Sequence, residues 1–160
     1  MIAVLCADTL SNYFKIISPD LDIYTIERPA QNYKGTDPVI AHPPCPQWSK
    51  LRAFAKFSQV DLDLAAFCVD KVQLNGGILE HPEGSTIFKH FGLYPIYSVD
   101  QSWWGFRARK RTYLYLNGFK LLPYPAMPPK VPDKRVDQLN KRIRSRMPLE
   151  FCQYLANCLS

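Results

Sequence analysis

A cysteine stands behind two prolines in the stretch Ala41-His42-Pro43-Pro44-Cys45-Pro46-Gln47-Trp48-Ser49. Each proline removes a backbone donor and fixes φ, which suits holding one side chain still better than extending a sheet. Cys45 is therefore a candidate nucleophile, because a thiolate attacks electrophilic carbon readily once it is ionised and positioned. A carboxylate, Glu80, follows the apolar run Gly77-Ile78-Leu79, where the end of a strand meets a cleft. There it can hydrogen-bond an amide-like ring edge or carry a proton. Arg107, Arg109 and Arg111 alternate along one segment next to Trp103 and Trp104. In an extended chain, alternate residues point to one side. Guanidinium groups pair with phosphates or carbonyls, and indoles offer a stacking face.

A thiol, an acid and a guanidinium are the groups needed to attack a pyrimidine ring. The ring's C6 is a poor electrophile. Addition of a thiolate there pushes charge into the ring, which an acid meets at N3 and an arginine meets at O2. C5 then becomes nucleophilic and can take up a substituent. Cys45, Glu80, Arg109 and Arg111 are the catalytic candidates. His42, Gln47, His81, Trp103, Trp104 and Arg107 are the candidates for holding the substrate or a nucleic acid around them.

These groups need a scaffold that brings distant residues to one rim. Ile2–Ala7 is a short continuous apolar run, as in a buried parallel strand. A short helix over 9–17, a strand over 22–28 and a third strand over 38–43 are expected next. The segment 49–57 reads as an irregular helix or lid. Residues 61–74 carry an apolar face at helical spacing, ended by Asn75-Gly76-Gly77. A strand over 77–82, a short helix over 85–91 capped by Ser85, and strands over 94–101 and 111–117 follow. A final helix spans 148–159, with Pro148 in its first turn. Strands alternating with helices predict an α/β fold, a Rossmann-like and mostly parallel sheet covered on both faces. Such sheets bind ligands beyond the carboxyl ends of their strands, which is where Cys45 and Glu80 fall. The expected organisation is a core over 1–120, a proline-rich linker over 121–134, and a basic stretch with a C-terminal helix over 135–160 packing back on the core.

Composition narrows the partners. The chain has 160 residues, 47% of them hydrophobic and 21% charged, as in an ordinary globular domain. No apolar run approaches the ~20 residues of a membrane span, so no membrane partner is expected. The net charge of +6 and pI near 9.1 favour a polyanion. Much of the excess sits in 107–111 and 133–146. The five cysteines and three histidines show no metal-ligand spacing and no disulfide framework. Reduced thiols in a cytoplasmic protein are the simplest expectation.

In these motifs the chain resembles the cytosine-5 DNA methyltransferases. "PPCPQWS" looks like their Pro-Cys loop, which puts the nucleophile on Cys45. "GGILEHP" is similar to the strand that ends in their Glu-Asn-Val motif, which puts the N3-binding acid on Glu80. "GFRARKRTYLYLNG" looks like their Gln-x-Arg-x-Arg motif, which maps its arginines onto Arg109 and Arg111. "RSRMPLEFCQYLA" echoes the closing segment that returns to the cofactor pocket. The resemblance covers about residues 38–156 and implies S-adenosylmethionine as cofactor, with Ala7, Asp8 and Glu27 at its site. It also implies DNA or a pyrimidine nucleotide as partner, and a phage or mobile-element setting. The chain departs from the pattern in places. Its first strand runs into "CADTLSNY", and no glycine precedes Gly35, whereas close approach of backbone to a cofactor normally uses glycine. One strand is missing before the Pro-Cys loop, His81 replaces the motif's Asn, Arg107 replaces its Gln, and no separate DNA-reading domain follows. Two other readings stay open: a non-catalytic nucleic-acid-binding module on the same fold, and cofactor-independent cysteine chemistry such as removal of a C5 substituent.

Overall fold

The computed structural model describes residues 1–124, 132 and 134–160. It is an α/β fold built on one six-stranded sheet. The strands are β1 (Ile2–Leu5), β2 (Leu21–Ile23), β3 (Val39–Ala41), β4 (Gly77–Pro82), β5 (Ile96–Asp100) and β6 (Arg111–Asn117). Their order across the sheet is β2-β1-β3-β4-β6-β5. The first four run parallel to one another, whereas β6 is antiparallel to both β4 and β5. The sheet is thus Rossmann-like over β1–β4 and mixed beyond. The reason is local: β5 and β6 are joined by a short loop containing a 3-10 turn at Gln101–Trp104, too short for the crossover that a parallel pair requires.

Each face of the sheet has its own cover. Val4, Ile40, Ile78 and Leu114 point to one side, onto Tyr13, Trp104, Phe151 and Leu155. The last two belong to the C-terminal helix Leu149–Cys158, and both are fully buried. Burial of each is worth about 1.5–3 kcal/mol, which explains why the chain's end returns to the core. Ala3, Leu5, Val39, Ala41 and Leu79 point to the other side. There they meet Ala65, Cys68, Val69 and Val72 of the long helix Gln59–Asn75 and Ile87 and Phe88 of the helix Ile87–Phe91. Gly77 opens β4 opposite Val39. A Cβ at Gly77 would collide with the Val39 carbonyl, so this close approach requires glycine.

The expected helix over 9–17 is only a 3-10 turn, Asn12–Lys15. The segment 49–57 likewise holds only the turn Arg52–Phe54. The second strand is shorter than expected, at Leu21–Ile23. Most of the proline-rich linker assigned to 121–134 lies outside the described residues. No helix among the described residues is long and apolar enough to cross a membrane.

Candidate active site

Chain order reverses between β1 and β3: β2 lies on one side of β1, and β3 and β4 follow on the other. The crevice at the carboxyl ends of these strands is where such sheets bind ligands. Cys45 sits in the loop after β3, and Glu80 lies within β4, the adjacent strand.

The Pro-Cys loop is tied down from three directions. Neutral His81 can donate from Nε2 to the Pro43 carbonyl at 3.1 Å, while its Nδ1 accepts from the Ser85 hydroxyl at 2.6 Å. Gln47 exchanges two hydrogen bonds with the backbone of Ser58, at 3.0 and 3.2 Å, joining the loop to the start of the long helix. The Trp48 carbonyl accepts from the Thr86 backbone N–H at 2.9 Å. Between these anchors Cys45 is exposed. His81 itself is 1% exposed. His81 and Gln47, expected at the substrate, thus hold the loop that presents the thiol.

Burial lowers the His81 pKa from 6.5 to about 4, because an imidazolium would have to be desolvated. The sign of the consequence follows from linkage. In the unfolded chain His81 takes up a proton near pH 6.5; in the native state it resists until about pH 4. This contribution to stability is intact above pH 6.5 and is lost as pH falls toward 4, a loss of about 3 kcal/mol. NMR of the imidazole should show His81 still neutral at pH 5. Titration near pH 6.5 in the folded protein would refute the assignment.

A buried chain of polar groups ends at the crevice. His42 donates from Nδ1 to Glu80 Oε2 at 2.8 Å, and its Nε2 lies 3.0 Å from the Tyr13 hydroxyl. Burial holds the Tyr13 pKa well above 10, reinforced by nearby Cys152 and Glu80. Tyr13 therefore stays a phenol and donates to His42. The side chains of His42 and Glu80 are only 10% and 12% exposed. Burial alone would raise the Glu80 carboxyl, but the hydrogen bond from His42 and the electrostatic influence of His42, Lys110 and His81 outweigh it and hold the pKa below 4.5. Oε1 of Glu80 accepts no hydrogen bond among the described residues and is the oxygen left for a ligand.

The Cys45 thiol is raised above its usual value, first by desolvation of the sulfur and then by the Glu80 charge. Lys110 and Arg144 act in the opposite direction.

The arginines are arranged differently from the thiol and the acid. Arg107, Arg109 and Arg111 are all exposed, while the intervening Ala108 is buried, so the alternation is real. The Arg111 guanidinium pairs with Glu83 at 3.0 Å. Arg109 donates its backbone N–H to the Lys134 carbonyl and forms a bridge to Arg135. The structure does not bring these guanidiniums to Glu80. Nor do the indoles form a platform beside them. Trp104 is 9% exposed and packs on Phe151 and Tyr154, at 4.9 and 4.7 Å between ring centres. Trp103 stacks on Tyr124 at 5.4 Å.

At the end of β1, Cys6 adopts φ 62°, the left-handed conformation for which glycine is the usual choice. Its sulfur lies 3.5 Å from that of Cys68. Ala7 is buried, and Asp8 accepts from the Leu10 N–H at 2.8 Å. Asp8 and Glu27 both present exposed residues at this end of the sheet. Among the described residues, no cluster of His, Cys, Asp and Glu could hold a metal ion.

No protein-family model matches this sequence, and no curated protein matches it.

Proposed function

We propose that the protein is a pyrimidine C5-modifying enzyme of the kind its motifs resemble, the cytosine-5 DNA methyltransferases. The observation that carries this reading is an exposed thiol on the loop after β3 and a carboxylate with one open oxygen on β4, the adjacent parallel strand, at the chain reversal of the sheet. Cys45 adds to ring C6. Glu80 meets N3 through Oε1, with His42 and Tyr13 behind Oε2 to orient the carboxyl and supply a proton. The target is a cytosine or uracil ring in DNA or in a pyrimidine nucleotide, and the protein works in the cytoplasm, where its five free cysteines stay reduced.

S-adenosylmethionine would supply a methyl group for C5. The residues at the end of β1 fit such a group in outline: Cys6 makes the left-handed turn, and the exposed carboxylates of Asp8 and Glu27 are available to a ribose diol or an amino group. Calorimetry with S-adenosylmethionine, comparing the wild type with Glu27→Ala, tests that assignment. Heat of binding in the wild type and its loss in the variant are expected.

The ring chemistry is tested by trapping. Oligonucleotides and free nucleotides carrying a 5-fluoropyrimidine are incubated with the protein, with and without S-adenosylmethionine. An adduct on the Cys45 peptide, detected by mass, is the expected result. Dependence on the cofactor identifies methyl transfer, and an adduct formed equally without it favours cofactor-independent chemistry. Absence of any adduct removes the enzymatic reading. It leaves a binding module, which the bridge between the basic segments at Arg109 and Arg135 favours.

A further inference from the structure

We propose that Cys6 and Cys68 form a redox-sensitive dithiol at the carboxyl end of β1, closed reversibly to a disulfide by a peroxide. This site is separate from the pyrimidine chemistry and does not depend on it.

The two residues are 62 positions apart in the chain, yet their sulfurs lie 3.5 Å apart. Different elements place them. Cys6 directly follows β1, and Cys68 lies in the long helix Gln59–Asn75. Ala65, Val69 and Val72 of that helix pack on the face of the sheet that carries Leu5. The backbone at Cys6 is left-handed, with φ 62°, a conformation that glycine takes without a steric penalty. Bonds on both sides hold it there. The Leu5 carbonyl accepts from the His42 N–H at 3.0 Å, and the Ala7 N–H donates to the Tyr24 carbonyl at 2.9 Å. Glycine would serve this turn, so a side chain here calls for another reason, and the sulfur of Cys6 rests against that of Cys68.

Burial gives the two thiols different parts. Cys6 is partly exposed, whereas Cys68 is 0% exposed. A dissolved oxidant reaches the first and not the second, which is the division between an attacking and a resolving cysteine. The hydrogen bond with Cys6 first, and then burial, hold the Cys68 thiol well above its ordinary value, so Cys68 keeps its proton until Cys6 has reacted. Cys152 and Cys158 belong to the core on the opposite face of the sheet.

The chemistry balances in two steps. The Cys6 thiolate attacks one oxygen of hydrogen peroxide. The S–O bond forms, the O–O bond breaks, and the departing hydroxide takes up a proton to become water. Cys6 is then a sulfenic acid. The Cys68 sulfur attacks that of Cys6, the S–S bond forms, the S–O bond breaks, and the hydroxide leaves with the Cys68 proton as a second water. The two thiols lose two electrons in all, and the peroxide gains them. A small thiol reopens the bond by exchange. In a reducing compartment the pair rests as a dithiol and the disulfide is transient. Closure ties the end of β1 to the long helix, directly ahead of Ala7 and Asp8, and so writes the redox state at the crevice.

The test uses the intact reduced protein and hydrogen peroxide. Samples are blocked with N-ethylmaleimide in denaturant and digested with trypsin without reduction. A linked species joining peptides 1–15 and 57–71, lighter than their sum by two hydrogens, is the expected product. It should form about tenfold or more faster than any other cysteine cross-link, because the two sulfurs are already adjacent, and dithiothreitol should restore both labels. If Cys6 and Cys68 still take up N-ethylmaleimide after Cys45 has been oxidised, the proposal is overturned. Sulfenic or sulfinic acid accumulating on Cys6 beside a free Cys68 overturns it equally. Two variants, checked by circular dichroism, test the order of events. Cys68→Ala should let dimedone trap Cys6 as its sulfenic acid, and Cys6→Ser should leave Cys68 reduced. Oxidation of Cys68 at the wild-type rate in Cys6→Ser refutes the assigned roles. The wild-type cross-link decides the proposal even where a variant fails to fold.

Discussion

Cys45→Ser should abolish C5-hydrogen exchange and adduct formation, with a loss of about 10³-fold or more, because its thiol is the group that forms the bond to C6. The same substitution should leave stability within about 0.5 kcal/mol of wild type, since Cys45 is exposed. Its backbone carbonyl, which accepts from Trp48 and Ser49 at 3.1 and 2.9 Å, is unaffected by the change. The comparison is therefore clean: a dead site in an intact fold. The other cysteines sharpen it. Cys68, Cys152 and Cys158 are buried, and burial pushes the Cys152 thiol up to about 12, so it cannot substitute as a thiolate at neutral pH. If Cys45→Ser exchanged the C5 hydrogen as fast as wild type, the nucleophile would have to be sought elsewhere. If it retained nucleic-acid binding with no exchange in either protein, the binding-module reading would stand in its place.

Much of this site was legible before any coordinates, and the part that was not has a physical explanation. The strand 77–82 and the helix expected over 61–74, which spans Gln59–Asn75, were readable because each has a strong pattern and glycine punctuation at Gly76 and Gly77. Cys45 and Glu80 were readable because strand ends in an α/β fold are where ligands bind, which needs topology only. Which way the arginines face needed register. In Arg107-Ala108-Arg109-Lys110-Arg111 the alternation is evident, but which parity faces Glu80 depends on the pairing of β6 with β4. One signal was available: counting back from the apolar Leu114 in steps of two lands on Thr112 and Lys110, not on Arg111. Tyr13 was missed for a different reason. It reaches His42 from across 29 residues, from a turn too short to show a helical period. His81 was read as a ligand-facing residue because it neighbours Glu80. Adjacent residues of a strand point to opposite faces, so that adjacency argued for the reverse. Ser85 is the expected cap of the short helix; its hydroxyl is instead 2.6 Å from His81, and Thr86 stands at the cap position, its hydroxyl donating to the Trp48 carbonyl rather than capping the helix. Trp103 and Trp104 lie close in sequence to the arginines, but their large apolar rings gain more from packing on the C-terminal helix than from an exposed platform.

The polar chain behind Glu80 should prove the most fragile part of the fold. His42→Leu takes the hydrogen-bond donor from Glu80 Oε2 and the acceptor from the Tyr13 hydroxyl in one change. Leaving a nearly buried carboxylate without its partner should cost about 3 kcal/mol at pH 7, toward the low end for such pairs because a tenth of each side chain reaches solvent. The Glu80 carboxyl should respond by taking up a proton more readily. Its pKa lies below 4.5 in the native state through His42 first among the groups that lower it. A depressed carboxylate stabilises the fold above its unfolded pKa, and that stability is lost as pH falls through the native value. Without His42 the contribution disappears or changes sign, so the variant should lose less stability on acidification than wild type. Glu80→Gln retains shape but cannot hold a negative charge, and the double variant His42→Leu/Glu80→Gln should recover part of the single-variant loss. Urea unfolding of the four proteins at pH 7 gives the coupling energy directly. A coupling below about 0.5 kcal/mol would mean that the 2.8 Å contact contributes little to the stability of the fold. Glu80 would then need another source of the proton that ring addition demands at N3. A large coupling together with lost exchange in His42→Leu would join the stability of this pair to its chemistry: the imidazole that secures the carboxyl in the fold is the same one that readies it for the ring.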